Sequence, residues 1–335
     1  MLVRELNGAM HALLERDPRV VVLGEDIADP YGGAFKVTRG LTTAYPDRVL
    51  TTPVSEGALV GVAAGLAMAG YRPIVEIMFG DFVSLAFDQV VNHVTKYGPM
   101  YAGKVTCPVI IRTPSGGHRG YGPTHSQSLE KHFLGVPNLI VVAASLSHDP
   151  ARILGELLGR DEPALYVEHK LLYPESLALP RDGRVGAALG HEEASAGHLP
   201  TVAISYVPRS ECRATVLAYG YTALLAQRAI EQLAVEEEVF AELLVPAQIA
   251  PMDWAPVEAS VSVTGSLVTA EEGMAGWSWG VEAAAEIGRR RFSHLRRPVQ
   301  VVASGPGIIP SSRELERQVL VGVDRIAAAV REAAA

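Results

Sequence analysis

The stretch "TPVSEGALVGVAAGLAMAGYRPIVEIMFGDF", residues 52–82, has the pattern of a helix followed at once by a strand. Ser55 is a suitable N-cap for the helix, and Gly70 stops it before the apolar run "RPIVEIMF" at 72–79. The strand-like run "RVLTTPV" lies directly before the same helix. A strand, a helix and a further strand in succession favour a parallel sheet with helices packed on its faces.

The same alternation continues along the first half of the chain. The spacing of apolar residues predicts helices over 55–69, 82–97 and 148–159. The strand-like runs are short and rich in Val and Ile. They are "VVVLGE" (20–25), "RPIVEIMF" (72–79), "CPVIIRTP" (107–114), "LIVVAAS" (139–145) and "ALYVEHK" (164–170). This half is therefore predicted to be one α/β domain over residues 1–175.

A segment rich in Pro, Gly and Ala follows, and the alternation then begins again. The segment 176–212 includes "LALPRDGRVGAALGHEEASAGHLP", which predicts a linker between two domains. Beyond it, helices are predicted over 222–238, from about 280, and near 312–333. The strand-like runs are "ATVLAYG" (214–220), "AELLVP" (241–246), "SLVTAEE" (266–272) and "VQVVASG" (299–305). The expected fold class is α/β, with two doubly wound parallel-sheet domains, the second over 213–335.

Composition limits the classes of function that the chain can have. Of its 335 residues, 48% are hydrophobic and 20% are charged, which is typical of a globular protein. The net charge of −8 and the lack of basic runs argue against nucleic acid as a partner. The two cysteines, Cys107 and Cys212, suit a reducing compartment. No apolar run is long enough to cross a bilayer, so we expect a cytoplasmic protein without a membrane partner.

Common nucleotide and nucleophile motifs are missing from the sequence. The first strand leads into "VLGEDIADPYGGAFKVTRG", whose glycine spacing differs from that of a dinucleotide fingerprint. The chain also has no phosphate-binding loop of the P-loop type and no nucleophile elbow. These absences exclude the most common uses of an α/β fold.

Two of the remaining stretches contain residues that could carry chemistry. Glu56 stands at a helix start, where a carboxylate is either a helix-capping acid or a functional group. The long loop "TPSGGHRGYGPTHSQS" (113–128) follows a predicted strand and contains His118, Arg119 and His125. A single loop histidine is usually a surface residue, so the residues by themselves leave both stretches open to a purely structural interpretation.

The order of the motifs over almost the whole chain resembles one known family. Each motif alone would be weak, but their order is highly specific. They are "GEDIADPYGGAFKVTRGL", the opening stretch, "FDQVVNHVTKY", "THSQS", "EPALYVEHKLLY", "EEGMAGWSWGVEAAAEI" and "VASGPGIIPSSRELERQVLVGVDRIAAAV". They resemble the beta subunit of the thiamine-diphosphate-dependent 2-oxoacid dehydrogenases, the decarboxylating first component of the pyruvate, branched-chain 2-oxoacid and acetoin complexes. The resemblance implies a pyrimidine-binding domain of thiamine-diphosphate enzymes and a transketolase C-terminal-like domain.

The same resemblance implies catalytic roles for Glu56 and His125. In the family, a glutamate at the position of Glu56 meets a ring nitrogen of the cofactor's aminopyrimidine and helps to activate thiamine diphosphate. Such a carboxylate would be buried because its partner is a bound cofactor nitrogen. His125, in "THSQS", matches the loop histidine that acts near the substrate carboxylate and in acyl transfer to lipoamide. His118 and Arg119 could order the same loop or meet the substrate.

Further residues are implied to bind the cofactor or an ion. Phe82, which its spacing alone would assign to a core, would lie against the pyrimidine ring, with Val54 and Leu59 as apolar neighbours. Glu25 resembles an acid that the family places between its two cofactor sites. Asp161 falls where some members bind a structural potassium ion.

The sequence lacks the second half of a thiamine diphosphate site. Enzymes of this kind hold the diphosphate through a magnesium ion bound at a G-D-G motif, and the chain contains no "GDG". The resemblance therefore implies an alpha subunit that holds the diphosphate and the metal, in a heterotetramer of two alpha and two beta chains. A lipoyl-bearing acyltransferase would be a further partner, and pyruvate or a branched-chain 2-oxoacid would be the substrate.

Three alternatives stay open at this point. The stretch "LLVPAQIAPMD" (243–253) lacks the arginines usual there, which favours a specialised relative that transfers an acyl group in another pathway. Half of a split transketolase-like enzyme would need several phosphate-binding Arg or His residues, of which "GGHRGYG" offers one pair. A non-catalytic scaffold for an alpha subunit is the alternative from another class of protein.

Overall fold

The computed structural model describes residues 1–179, 184–185, 188–193 and 199–335, with 184–185 and 188–193 described as backbone only. The helices of the first half are α1 (Leu2–Arg16), α2 (Leu41–Ala44), α3 (Glu56–Met68), α4 (Tyr97–Met100) and α5 (Pro150–Leu158). Its strands are β1 (Val20–Glu25), β2 (Val49–Thr52), β3 (Arg72–Glu76), β4 (Ile110–Ser115), β5 (Ile140–Ala143) and β6 (Ala164–His169).

The second half continues the strand and helix numbering. Its strands are β7 (Arg184–Val185), β8 (Ala188–Glu193), β9 (Thr201–Ser205), β10 (Ala214–Ala218), β11 (Ala241–Pro246), β12 (Gln248–Ala250), β13 (Leu267–Met274) and β14 (Gln300–Ser304). Its helices are α6 (Gly220–Glu237), α7 (Ala255–Thr264), α8 (Trp279–Arg291), α9 (Arg313–Val319) and α10 (Val323–Ala334). None of the described helices is both long and apolar enough to cross a membrane.

The strands form two seven-stranded sheets. The first has the order β12-β5-β6-β4-β3-β1-β2, and all of its pairs are parallel except β12 with β5. The second has the order β14-β13-β10-β11-β9-β8-β7, with β14, β13, β10 and β11 parallel and the other three antiparallel. The predicted α/β architecture is therefore present, with antiparallel strands added at the sheet edges.

Both faces of the first sheet are covered, which explains its nearly continuous apolar strands. Along β1, Val21 and Leu23 pack with α3, whereas Val20 and Val22 pack with α1 and α5 on the other face. The core on the α3 side also includes side chains from the second half of the chain, so the two domains share a buried apolar interface.

The predicted linker at 176–212 is wrong over part of its length. Thr201–Ser205 is a buried strand that pairs antiparallel with β11, and the backbone of β7 and β8 extends the same sheet. The second sheet therefore begins before residue 213, because the short apolar run "TVAIS" completes it at an antiparallel position. Residues 180–183, 186–187 and 194–198 of the predicted linker lie outside the described residues.

Two predicted helices differ from those observed. Instead of one helix over 82–97, Gly80–Ala86 is a 3-10 helix and Gln89–Val94 is a π-helix. The Thr95 backbone N–H donates to Val90 O at 3.2 Å, and its hydroxyl donates to the same oxygen at 3.1 Å, which favours the wider turn.

The predicted helix near 312–333 is two helices, α9 and α10. The chain is extended at Leu320, and the side chains of Leu320 and Val321, which join the two helices in sequence, are buried. The Gly305 backbone N–H donates to the Val319 oxygen at 2.8 Å, which satisfies a carbonyl that a continuous helix would have bonded internally.

Candidate active site

Four of the residues predicted to be functional, Glu25, Glu56, Phe82 and His125, follow the carboxyl ends of four adjacent strands. These strands are neighbours in the order β4, β3, β1, β2. The loop with His125 follows β4, and Phe82 follows β3. Glu25 ends β1, and Glu56 begins the helix after β2. The carboxyl ends of parallel strands are where α/β folds place ligands, so this edge is the candidate active site.

Glu56 is buried at the start of α3 without a side-chain partner. Its side chain is 5% exposed, and no described residue donates a hydrogen bond to its carboxylate. Ser55 occupies the N-cap position as predicted, but its hydroxyl makes no capping hydrogen bond. The Glu56 carboxylate oxygens are not among the fully enclosed polar atoms without a partner, so the residue is largely buried while its carboxylate remains open to a ligand.

Glu25 fixes the turn that carries Glu56. One Glu25 carboxylate oxygen, Oε1, accepts a hydrogen bond from the Ser55 backbone N–H at 2.9 Å. Burial raises the pKa of Glu25, the Ser55 bond opposes this, and the nearby charge of Glu56 raises the pKa further. The two carboxyl groups are therefore close enough to influence each other.

His125 lies against two aromatic rings. Its ring meets Phe79 edge-on at 4.7 Å and Phe82 at 5.2 Å between ring centroids. Nδ1 of His125 is 3.0 Å from Oγ1 of Thr124, which leaves Nε2 available to a ligand. Phe79 and Phe82 are both half-buried, so they form one wall of the site and are only partly core residues.

The apolar neighbours predicted for Phe82 have different environments. Val54 is 73% exposed on the loop before α3, whereas Leu59 is 1% exposed in the core beneath the helix. Leu59 could influence a ligand only through the packing of α3. Ligand contacts by Val54, Leu59 and Phe82 remain predictions.

Asp161 lies at the amino ends of the strands of the first sheet, on the side opposite the candidate active site. It precedes β6, and its side chain is 64% exposed and forms an ion pair of 3.0 Å with Arg72, the first residue of β3. Arg72 also donates to the backbone oxygen of Arg160 at 2.6 Å. Within the described residues no group of three or more His, Cys, Asp or Glu could hold a metal ion.

The second domain supplies a carboxylate to the loop that carries His125. Glu272, on β13, accepts from the Gly117 backbone N–H at 2.7 Å and from Nε2 of His169 at 2.9 Å. Nε2 of His118 lies 3.4 Å from the same carboxylate. His118 therefore points at the second domain, whereas the Arg119 guanidinium lies over the Tyr121 ring at 4.9 Å.

These contacts keep Glu272 ionised. Burial alone would raise the pKa of Glu272, but His169 and His118 outweigh it and hold the pKa well below its ordinary value. The pKa of His118 is raised, because the Glu272 contact outweighs the desolvation that would lower it. The N–H groups of His169 and Gly117 therefore donate to an ionised carboxylate, and His118 lies beside it.

A buried lysine and a buried arginine also lie near the site. Lys170 donates from Nζ to the backbone oxygen of His125 at 2.8 Å, and burial lowers the pKa of Lys170 to about 8. Arg112 binds both oxygens of Glu168 at 2.7 Å and Oε2 of Glu76 at 3.0 Å. Neither side chain was predicted to be functional, and the only signal for them was a charged residue inside an otherwise apolar strand run.

Glu130 is a buried acid whose titration can be tested separately. Its Oε1 accepts from the Tyr219 hydroxyl at 2.7 Å, while Oε2 has no partner among the described residues. Burial raises the pKa of Glu130 to about 7. Because the folded state favours the neutral acid, Glu130 stabilises the fold most below its ordinary pKa and loses that contribution as pH rises through 7.

The effect of Glu130→Gln on the stability of the fold is therefore expected to become more favourable as pH rises. Relative to the parent, its free energy of unfolding should increase by about 2–3 kcal/mol between pH 5 and pH 8. Urea denaturation of both proteins at the two pH values measures this difference. A difference that does not change with pH would show that Glu130 is charged throughout.

Comparison with known proteins identifies the family. Residues 3–176 match the transketolase pyrimidine binding domain, and residues 205–326 match the transketolase C-terminal domain. The beta subunit of the pyruvate dehydrogenase E1 component of Leifsonia xyli is 38% identical over 97% of this chain and 92% of its own length. The chain belongs to the E1 beta subunits of the 2-oxoacid dehydrogenases. The predicted family is therefore confirmed.

Other members of the family carry names with different substrates. The 3-methyl-2-oxobutanoate dehydrogenase subunit beta of Mycobacterium tuberculosis is 33% identical over 97% of this chain and 89% of its own length. The acetoin:2,6-dichlorophenolindophenol oxidoreductase subunit beta of Cupriavidus necator is 32% identical over 98% of this chain and 95% of its own length. Similarity of this degree to both does not select one substrate.

A solved structure shares the two-domain fold. It is described as a split gene transketolase in an inactive beta4 tetramer, and it matches with a TM-score of 0.71 at 21% identity. The match covers 99% of this chain and 97% of that chain. The predicted fold class, with both domains in one chain, is thereby confirmed.

Proposed function

We propose that this chain is the beta subunit of a 2-oxoacid dehydrogenase first component that decarboxylates a 2-oxoacid and transfers the acyl group to lipoamide. The observation that carries the proposal is Glu56, a largely buried residue whose carboxylate is bound by no described residue and remains open to a ligand. It lies on the same sheet edge as Phe82 and His125. A buried carboxylate and an imidazole at one ligand-binding edge suit proton transfer.

The residues present fit the pyrimidine end of thiamine diphosphate. A ring nitrogen would give the Glu56 carboxylate the partner that it lacks, and the half-buried ring of Phe82 offers a flat apolar surface. When bound, the cofactor would supply the electron sink that decarboxylation of a 2-oxoacid requires.

The side chains of this chain would hold the cofactor and the substrate in place and would transfer protons. Glu56 would hold a proton at its carboxylate, in a site where burial strengthens the contact. Glu25 keeps the start of α3 in place through the Ser55 N–H. His125 would donate to or accept from the substrate at Nε2, because Nδ1 faces Thr124.

The diphosphate and its magnesium ion are assigned to an alpha subunit. The sequence contains no "GDG", and the described residues include no cluster of three metal-binding side chains. We therefore place the cofactor between alpha and beta chains, in a heterotetramer of two of each, with a lipoyl-bearing acyltransferase as a further partner. The assignment of a potassium ion to Asp161 stays a prediction, and its Oδ1 and the Arg160 backbone oxygen both contact Arg72 in this structure.

The geometry disfavours the split transketolase alternative. That function would need cationic side chains free to bind sugar phosphates, yet His118 contacts Glu272 and Arg119 lies over Tyr121. The solved split transketolase shares the fold but is too distant in sequence to carry the function.

Co-expression with an alpha chain tests the proposed function. The assembly with the nearest alpha-type reading frame, loaded with thiamine diphosphate and magnesium, would be assayed with an artificial electron acceptor. Pyruvate and 3-methyl-2-oxobutanoate would be compared with a sugar phosphate donor. Turnover of either 2-oxoacid supports the proposal, and their ratio gives the substrate side chain. Turnover of the sugar phosphate alone would contradict it.

A further inference from the structure

The loop from Gly116 to Ser128 is attached to the second domain at several points. At its start, the Gly117 N–H donates to Oε1 of Glu272 at 2.7 Å. At its end, the Ser128 hydroxyl lies 3.3 Å from the same oxygen. One carboxylate of β13 therefore joins both ends of a loop that belongs to the first domain.

A second carboxylate holds the middle of the loop. Oε2 of Glu316, on α9, accepts from the Gly120 backbone N–H at 2.9 Å. Gly117 and Gly120 have no side chains, so their contacts with the second domain are made by backbone donors. Gly116 has a φ of +85°, and a β-carbon there would overlap the His169 ring. The loop can thus follow only a narrow path between the two domains.

The tautomer of His169 requires Glu272 to act as a hydrogen-bond acceptor. The Leu171 backbone N–H donates to Nδ1 of His169 at 3.2 Å, so the ring proton is on Nε2 and points at Glu272. Glu272 therefore receives donors on both oxygens, from His169 on one and from Gly117 on the other. A glutamine cannot accept on both sides of its side chain.

We propose that Glu272 is a positioning residue, which holds the 116–128 loop so that His125 meets the rings of Phe79 and Phe82. The first domain contributes Lys170, which binds the backbone oxygen of His125 at 2.8 Å. The second domain would thus act on the site of the first through this loop. The catalytic consequence rests on the function proposed above, whereas the attachment of the loop does not.

Hydrogen exchange of the assembled complex tests the attachment directly. Glu272→Gln places an amide donor against either the His169 N–H or the Gly117 N–H, so loop amides over 117–128 should exchange roughly tenfold faster or more. Glu271→Gln is the matched control, because one Glu271 oxygen accepts from Gly280 within the second domain and an amide retains that bond. Unchanged exchange in Glu272→Gln, or equal acceleration in both variants, would overturn the proposal.

A double-mutant comparison tests the link to His125. Glu272→Gln should lower kcat on the order of tenfold, and combining it with His125→Ala should cost little beyond His125→Ala alone. Multiplicative losses would show that Glu272 acts independently of His125, which would contradict the positioning role. If the complex turns over no 2-oxoacid at all, the proposed function fails while the exchange experiment still decides whether Glu272 holds the loop.

Discussion

Glu56→Gln is expected to lower 2-oxoacid turnover by the assembled complex by about 10²–10³-fold. The amide has almost the same shape as the carboxylate but cannot hold and release the proton that activation of the cofactor requires. Folding should not suffer, because no described residue donates a hydrogen bond to this carboxylate, so the amide breaks none. Activity should therefore fall while the melting temperature stays level or rises.

Glu5→Gln provides a matched control for Glu56. Glu5 is also an acid in the first turn of a helix, α1, but it is exposed. If Glu56 only complements the helix dipole, both variants should lose a few tenths of a kcal/mol in stability and keep full turnover. Full turnover in Glu56→Gln would support the scaffold alternative and would remove the catalytic assignment.

Arg112→Leu is expected to destabilise the first domain by about 3–5 kcal/mol. Arg112 is buried between Glu168 and Glu76, and the Tyr173 hydroxyl donates to Glu168 at 2.8 Å. Removing the guanidinium leaves two buried carboxyl groups without their cation. The midpoint of urea denaturation measures the loss.

Arg317→Leu is the control for Arg112. Arg317 pairs with Glu314 at 2.8 Å on an exposed surface, so its loss should cost no more than about 1 kcal/mol. A comparably small effect of Arg112→Leu would contradict the stabilising role of the buried guanidinium.

The sheet strands and their shared edge could be predicted from the sequence. "VVVLGE" (20–25) coincides with β1, and the helix predicted at 55–69 is α3 within two residues. Parallel strands bring their carboxyl ends to one end of the sheet, so the order of elements along the chain places Glu25, Glu56 and the loop with His125 at that end, whereas the adjacency of β4, β3, β1 and β2 came from the structure. The roles of these residues came from the resemblance and not from the spacing.

Contacts between distant parts of the chain could not be predicted. Glu272 and Gly117 are 155 positions apart, and no local pattern links them. The 3-10 and π turns after β3 depend on packing and on the hydroxyl of Thr95, which periodicity does not reveal. Strand β9 was overlooked because its five residues follow a Pro- and Gly-rich segment and complete a sheet formed mainly by later residues.

The central claim is that this chain provides one half of a thiamine diphosphate site. Its most direct test is a calorimetric titration of thiamine diphosphate with magnesium into this chain, into its alpha partner and into their assembled complex. We expect the complex to bind the cofactor on the order of 100-fold more tightly than either chain alone. Equally tight binding by this chain alone, or no binding by the assembled complex, would contradict the claim.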